Sequence, residues 1–428
     1  MGVRLGNGNW AVKTSKLLAY NDASGMFFNK EFDFTRATTA TRVNKSGLIE
    51  SVASNLPRID FTDDTKGYLL LEPASTNKIT QSENATSGGN TPQRIDTTQN
   101  VAVAPDGTTT ADLCIPSTAT GSHQPYQYRD DDTSTSFADG SNYAFSVFVK
   151  PNTTNGAQFV QMSTFISTGG SDKVNFDIVN GTITQTGFVS SKIENYGNGW
   201  FRCSFVFEAS RDSTAGGSDG WGLGIITAGD SARGESFTGD GSSNGVLVWG
   251  AQFEEVKNFA TSYIPTSGST VTRNAETCNN SGAAQDFNST EGVLYCEIAA
   301  LADDTTSRAI SISNSTIQNT AEIFYGTSSN QVSFRIRASN SNVTVQNRTV
   351  SDRTQFVKVA LKYKDGDIEG FINGVKEVDR TDSFTFSASL SELAFDRGGD
   401  QSHFEGKIRE VRTYRTALTD AELIALTT

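Results

Sequence analysis

The sequence predicts an all-β protein: an N-terminal extended docking region, two β-sandwich (jelly-roll) domains and a short C-terminal helix. Three observations carry this. Hydrophobic residues make up 36% of the 428, below the usual globular share, while 39 glycines supply turns. The 27 Phe and 11 Tyr provide bulk of the kind that fills β cores. Apolar residues recur mostly with a period of two, and few stretches have helical spacing.

A chain of this length suits two or three domains. Residues 1–80 hold short extended pieces broken by Pro57, Gly67 and Pro73. The stretch "FDFTRATTATRVNKSGLIESV" (32–52) keeps its apolar residues mainly at its two ends, with small Thr and Ala between. This region lacks the periodic apolar surface for a core of its own, so it is expected to lean on a neighbouring domain or another subunit.

Residues 81–272 read as a first sandwich. "NYAFSVFVKP" alternates Tyr143, Phe145, Val147 and Val149 onto one face. "KVNFDIVNGTITQTG" does the same with Val174, Phe176 and Ile178, and Asn180-Gly181 signals a two-residue hairpin turn. "GWFRCSFVFEAS" and "GVLVWGAQFEE" follow, with Trp200 and Trp249 flanking core strands. Residues 258–276 read as a last edge strand and a linker.

Residues 273–428 read as a second sandwich opening with "GVLYCEIAAL". In "QFVKVALKYKDGDIEGFINGVKEV", Val357, Val359, Leu361 and Tyr363 face one way and Lys358, Lys362 and Lys364 the other. Asp365-Gly366 and Asn373-Gly374 turn the chain, making a three-stranded meander. After "GKIREVRTY", Thr419 and Glu422 form a capping box for a terminal helix, with Leu418 and Leu423 placed as its hydrophobic staple.

The formal net charge is −13, distributed as +2, −10 and −5 over the three regions. An acidic surface argues against nucleic-acid binding and against docking on anionic lipid by charge. No apolar run approaches a membrane span, and the opening "MGVRLGNGNW" lacks a secretion signal. Cys114, Cys203, Cys278 and Cys296 form no CxxC pair and no dense framework, which suits folding in a reducing cytoplasm.

"DFTRATTATRVNKSGLIE…NLPRIDF…GYLLLEPASTN" resembles a segment near the start of bacteriophage tail and virion-appendage proteins. "NYGNGWFRCSFVF…VLVWGAQFEE…FATSYIPTSGSTVTR" is similar to the carbohydrate-binding-like sandwich that often follows it. "VKVALKYKDGDIEGFINGVKEV…FEGKIREVRTYRTALTDAEL" resembles the concanavalin A-like (laminin-G-like) jelly roll. The resemblance implies a structural or host-recognition virion protein: a fibre, spike or surface decoration that folds in the host cytoplasm. Its partners would be other virion proteins and host-surface polysaccharide or glycan. Copies of the chain would assemble as a homo-oligomer, for a fibre most often a trimer. Residues 1–80 would dock on the virion or trimerise, or else pack on their own sandwich. The alternative is an adaptor or capsid decoration without a ligand.

Enzymatic chemistry finds little support in the residues. Glucanases of the concanavalin-like class carry Glu-x-Asp-x-x-Glu on one strand, and "EIAALADD" and "EGKIREV" lack that Asp. His123 and His403 are the only histidines. Each reads as a surface loop residue rather than as a triad base or zinc ligand. "GWGLG" (220–224) lacks the strand-to-helix setting of a dinucleotide site.

Sugar recognition on a sandwich needs an exposed aromatic face and planar polar groups. Tyr126, Tyr128, Arg129 and Trp221 are the candidates in the first sandwich. In the second, the resemblance points to Asp396, Arg397 and Asp400. Calcium is the metal that the acidic loop with Asp130, Asp132 and Asp139 would suit, as would the Asp396–Asp400 loop. No other cofactor is expected.

Overall fold

The computed structural model describes residues 3–13, 16–20, 27–62, 64–129, 137–153, 156–164, 173–186, 188, 190–210, 220–255 and 258–428. Nearly all regular structure is β, with one α-helix, Asp420–Thr427, among the described residues. The chain forms two compact units, and both are discontinuous in sequence. One comprises residues 1–39, 52–74 and 274–428, and the other 40–51 and 75–273.

The larger sheet of the first unit has twelve strands. Its long central strands are Gly406–Tyr414, Glu291–Ala300 and Val357–Lys364, joined antiparallel. Arg4–Gly6 adds to Gly406–Tyr414 on the other side, and Lys16–Tyr20 and Phe27–Thr35 follow. Tyr68–Leu71, hairpinned with Arg58–Asp60, also pairs Gly406–Tyr414. Five strands, Ser341–Thr349, Gln331–Ala338, Thr320–Tyr325, Arg308–Ser313 and Glu392–Ala394, make the opposing sheet. The period-two apolar faces meet between the sheets. Leu5, Leu17, Phe32, Leu69 and Leu71 from the N-terminal segment share that core with Leu294, Ile323, Leu361 and Val411.

The second unit pairs a six-stranded with a five-stranded sheet. Asn142–Pro151, Phe201–Glu208 and Val246–Glu255 are central in the former, and Phe159–Thr164 and Gly220–Ile226 in the latter. Tyr143, Phe145, Val147 and Val149 are buried as their alternation requires. The hairpin of Ala40–Val43 and Ile49–Val52 sends Val43 and Ile49 into a smaller cluster with Trp200, Trp249 and Tyr263. The stretch 32–52 is therefore shared: Phe32 and Phe34 are buried in the first unit, Val43 and Ile49 in the second. Residues 1–80 do not form a third body but are divided between the two sandwiches.

Turns follow their residue chemistry with one exception. Asn373 and Gly374 both take positive φ (46° and 81°) between Ile368–Ile372 and Val375–Arg380, as a two-residue hairpin demands. At Asn180-Gly181 the loop is four residues, 178–181, because the Asp177 carboxylate accepts from the backbone N–H of Val179 (3.0 Å) and Asn180 (2.9 Å). The terminal helix is capped as its sequence implies: Thr419 Oγ1 accepts from the Glu422 N–H, and Leu418 and Leu423 join Tyr295 and Phe371 in one cluster. Within 258–276 the regular strand is Val271–Arg273, which pairs Ser75–Asn77. The residues before it are fixed by side chains, not by a ladder. Gln252 Oε1 accepts from Ile264 N–H at 2.7 Å, and Glu254 Oε2 from Thr261 N–H at 3.0 Å.

Candidate functional site

The aromatic residues proposed as a sugar platform are core residues. Tyr126 and Tyr128 lie on His123–Arg129 and Trp221 on Gly220–Ile226, and their exposures are 1%, 0% and 2%. Tyr126 and Tyr128 stack at 5.8 Å, Tyr128 and Trp221 at 5.9 Å, and Trp221 lies 3.8 Å from Phe253 across the sandwich. Residues i and i+2 of a strand share a face, so "YQY" puts both rings inward together. The expectation of ligand contact at these three is overturned by their burial. The Arg129 side chain, Asp130 and Asp132 lie outside the described residues. Asp139 is exposed.

His123 is also buried, not a surface residue. Its Nδ1 lies 2.8 Å from the Arg94 carbonyl and its Nε2 3.2 Å from that of Phe237, and its ring packs on Phe237 at 4.3 Å. Two carbonyl neighbours fit a structural role. Trp200, Trp249 and all four cysteines are buried, and burial pushes the Cys114 thiol up to about 12.

Among the described residues, each unit carries a cleft. The first unit's is about 250 Å³ and is lined by Asn7, Asp64, Lys66, Glu297 and Arg409 among others. Arg409 joins two of the lining carboxylates, with Nε 2.5 Å from Asp64 and Nη1 3.3 Å from Glu297. The guanidinium also stacks 3.7 Å over Phe356. The Asp64 and Glu297 carboxylates are thus joined by one cation in an ion-pair cluster.

The second unit's cleft is about 240 Å³ and is lined by Gln81, Glu83, Asn84, Asn100, Thr110, Pro265, Thr266 and Ser267. Its floor is rigid. Ser82 Oγ and Tyr263 Oη are 2.7 Å apart, Ser82 N–H donates to Thr266 Oγ1 at 3.0 Å, and Thr266 Oγ1 donates to the Ile79 carbonyl at 2.6 Å. Asp112 accepts from the N–H of both Ala85 (2.8 Å) and Asn100 (2.9 Å), which fixes the two loops that carry the lining amides. Trp249 Nε1 donates to Thr110 Oγ1 at 3.0 Å. Tyr263 Oη donates to Glu83 Oε1 at 3.1 Å. Burial pushes the Glu83 carboxyl up from its ordinary value, the Tyr263 hydroxyl opposes this, and the Asp106 charge adds to it.

The side-chain amides of Gln81 and Asn100 and the Nδ2 of Asn84 make no hydrogen bond among the described residues. The cleft therefore presents planar donors and acceptors around a partly buried carboxyl. Sequence reading missed it because its residues, in "TQSENATS" and "IPTSGS", look like ordinary polar loop. The signal was the burial required of Tyr263 at the start of that second loop.

Residues 294–424 match the model of the concanavalin A-like lectin/glucanases superfamily. Among solved structures the chain is similar to the CBM40 of the Ruminococcus gnavus IT-sialidase bound to α2,3-sialyllactose. There the identity is 18% and the TM-score 0.30, over 35% of this chain and 94% of that one. It is also similar to domain 4 of AbnA, a GH43 extracellular arabinanase from Geobacillus stearothermophilus, in complex with arabinotriose. That match has 14% identity and a TM-score of 0.29, over 36% and 73% of the two chains. The binding domain of botulinum neurotoxin serotype D matches at 10% identity and a TM-score of 0.28, over 36% and 40%. No curated protein matches the chain. The likenesses are of fold alone.

Proposed function

We propose that the protein is a non-catalytic glycan-binding subunit of a bacteriophage particle. A sugar residue would sit in the cleft of Gln81, Glu83, Asn84 and Asn100. The observation that carries the binding reading is the set of planar amides around Glu83, in which, among the described residues, the side-chain amides of Gln81 and Asn100 and the Nδ2 of Asn84 make no hydrogen bond, over a hydrogen-bonded floor. Vicinal hydroxyls each need a donor and an acceptor, and amide and carboxyl groups supply both in one plane. The lectin family matched by residues 294–424 agrees with it. The virion assignment rests on the resemblance of the segments within residues 32–77 to phage appendage proteins. Copies on one particle, as a trimer or a larger array, would raise weak sugar affinity by avidity.

The test is a glycan array probed with the full chain, followed by titration of the best hit. Glu83→Ala and Asn100→Ala should each weaken binding while leaving the melting curve cooperative. Equal affinity in both variants removes the cleft from the proposal. Burial of Tyr126, Tyr128 and Trp221 favours a second reading, a ligand-free adaptor or capsid decoration. An array without a hit supports that reading, and gold labelling of purified particles would place the subunit on tail or capsid.

A further inference from the structure

The loop after Glu392–Ala394 gathers three metal-ligand side chains. Asp396, Asp400 and His403 each offer one ligand atom, and these atoms lie within 4.8 Å of one another. His403 Nε2 is 3.5 Å from Asp400 Oδ1. Asp396 is 2% exposed, so a carboxylate is buried here. It accepts from the backbone N–H of Gly398 (2.6 Å) and Asp400 (3.1 Å). Among the described residues neither Asp396 nor Asp400 has an ion pair with Lys or Arg. Arg397 turns away, toward Ser307 (3.2 Å) and Glu322 (3.5 Å). Glu392, also buried, adds to the negative potential at Asp396.

A second observation comes from the neighbouring strand Thr277–Asn279. The Asn279 side chain is aimed at the cluster, its Nδ2 lying 3.2 Å from Asp396 Oδ2 and 3.5 Å from Asp400 Oδ1. Asn279 is 9% exposed, and its Oδ1 is buried without a hydrogen-bond partner. A half-turn of the amide exchanges its oxygen and nitrogen. The orphaned oxygen would then face the carboxylates, an arrangement that a cation between them makes favourable. His403 Nδ1 is buried and unpartnered as well.

We infer that Asp396, Asp400 and His403, with Asn279 as a fourth ligand through its amide oxygen, form a site for a divalent transition-metal ion. The donor set selects the class. Calcium takes six to eight oxygens, whereas a ring nitrogen with two carboxylates suits zinc or manganese. Carboxylate and imidazole bind such ions at about 2.0–2.2 Å, so small side-chain movements would close the cluster. Asp400 keeps the site open to solvent, its side chain being 80% exposed.

The experiment uses the full chain, dialysed free of metal and titrated calorimetrically with Zn²⁺ and separately with Ca²⁺. One Zn²⁺ per chain is expected, at micromolar affinity or tighter. His403→Ala and Asp400→Asn should each weaken it by roughly tenfold or more. Both side chains reach solvent, so the metal-free variants should melt like the parent, and their melting curves are recorded to check this. Absence of saturable Zn²⁺ binding, or stoichiometric binding unchanged in both variants, overturns the site. A preference for Ca²⁺ that ignores His403 overturns the metal class.

Discussion

Arg58 Nε donates to Glu276 Oε1 at 2.8 Å across 218 residues of sequence, and both side chains are fully buried. Arg36 Nη1 reaches the same oxygen at 2.7 Å, and Glu72 takes a second bond from Arg58 at 2.8 Å. Among the described residues, two cations and two anions are thus joined in one buried network inside the first unit. Burial disfavours the charge on Arg58, but Glu276 and Glu72 outweigh it and push its pKa up.

Removing one member of such a network leaves buried charge without a partner. Glu276→Gln strips the counter-charge from two guanidinium groups at once. It should destabilise the first unit by about 3–5 kcal/mol, read as a lower melting transition for that unit. A melting curve within error of the parent would mean that water already solvates the network.

The core reading of Tyr126 makes its own prediction. The ring is fully packed, yet its hydroxyl is buried with no hydrogen-bond partner. Burial holds that phenol well above its ordinary pKa, with the nearby Tyr128 adding to the shift. An unpaired buried hydroxyl costs about 1–3 kcal/mol. Tyr126→Phe should therefore raise stability toward urea by about 1 kcal/mol, whereas Tyr126→Ala should cost about 3–5 kcal/mol through the cavity it leaves. A Phe variant less stable than the parent would reveal a hydrogen bond to bound water.

Glu83 links the cleft to pH. Its folded pKa is raised, chiefly by burial. Below the ordinary carboxylate pKa the group is protonated in both states, and its contribution is fully present. As pH rises through the raised value, ionisation is harder in the folded state, and that contribution is lost. Glu83→Gln keeps an oxygen for the Tyr263 hydroxyl and removes the ionisation. The variant should melt above the parent at neutral pH and together with it at about pH 3. A parent that is the more stable at neutral pH would show the carboxylate to be better solvated than its burial implies.

The sandwiches, the meander and the capped helix were legible because each rests on local signals. Period-two alternation in "NYAFSVFVKP", paired positive-φ residues at Asn373-Gly374 and the Thr419/Glu422 box need no partner to be read. Polar residues whose partners lie far away were not legible. Arg36, Arg58, Glu72 and Glu276 look like surface charges until the fold brings them together. Alternation also fixes that Tyr126 and Tyr128 share a face but not which face is the core, so a buried stack was mistaken for a platform. The Asp396–Asp400 loop was visible as acidic, with His403 three residues on and read as an ordinary surface residue, while Asn279 joined it only through tertiary structure.

A last prediction concerns backbone geometry under the second unit's cleft. Asn142–Pro151 and Val246–Glu255 lose register between Ser146 and Phe148, where Gln252 and Trp249 are the respective partners. Two residues of one strand, Gly250 and Ala251, thus oppose Val147 alone, which makes a bulge. Gly250 has φ +65°, and a Cβ there would meet the Phe148 ring at 2.8 Å and the Tyr263 ring at 3.3 Å. The bulge aims Trp249 at Thr110 and packs it 4.6 Å from Tyr263, the floor on which Glu83 sits. Gly250→Ala should cost about 1–3 kcal/mol from the left-handed backbone alone, with more from the ring contact. Tryptophan fluorescence should shift as Trp249 moves, and glycan affinity should fall with it. An alanine variant with the parent's melting temperature and emission spectrum would mean that the strand relaxes the bulge at no cost, and that the cleft floor does not depend on it.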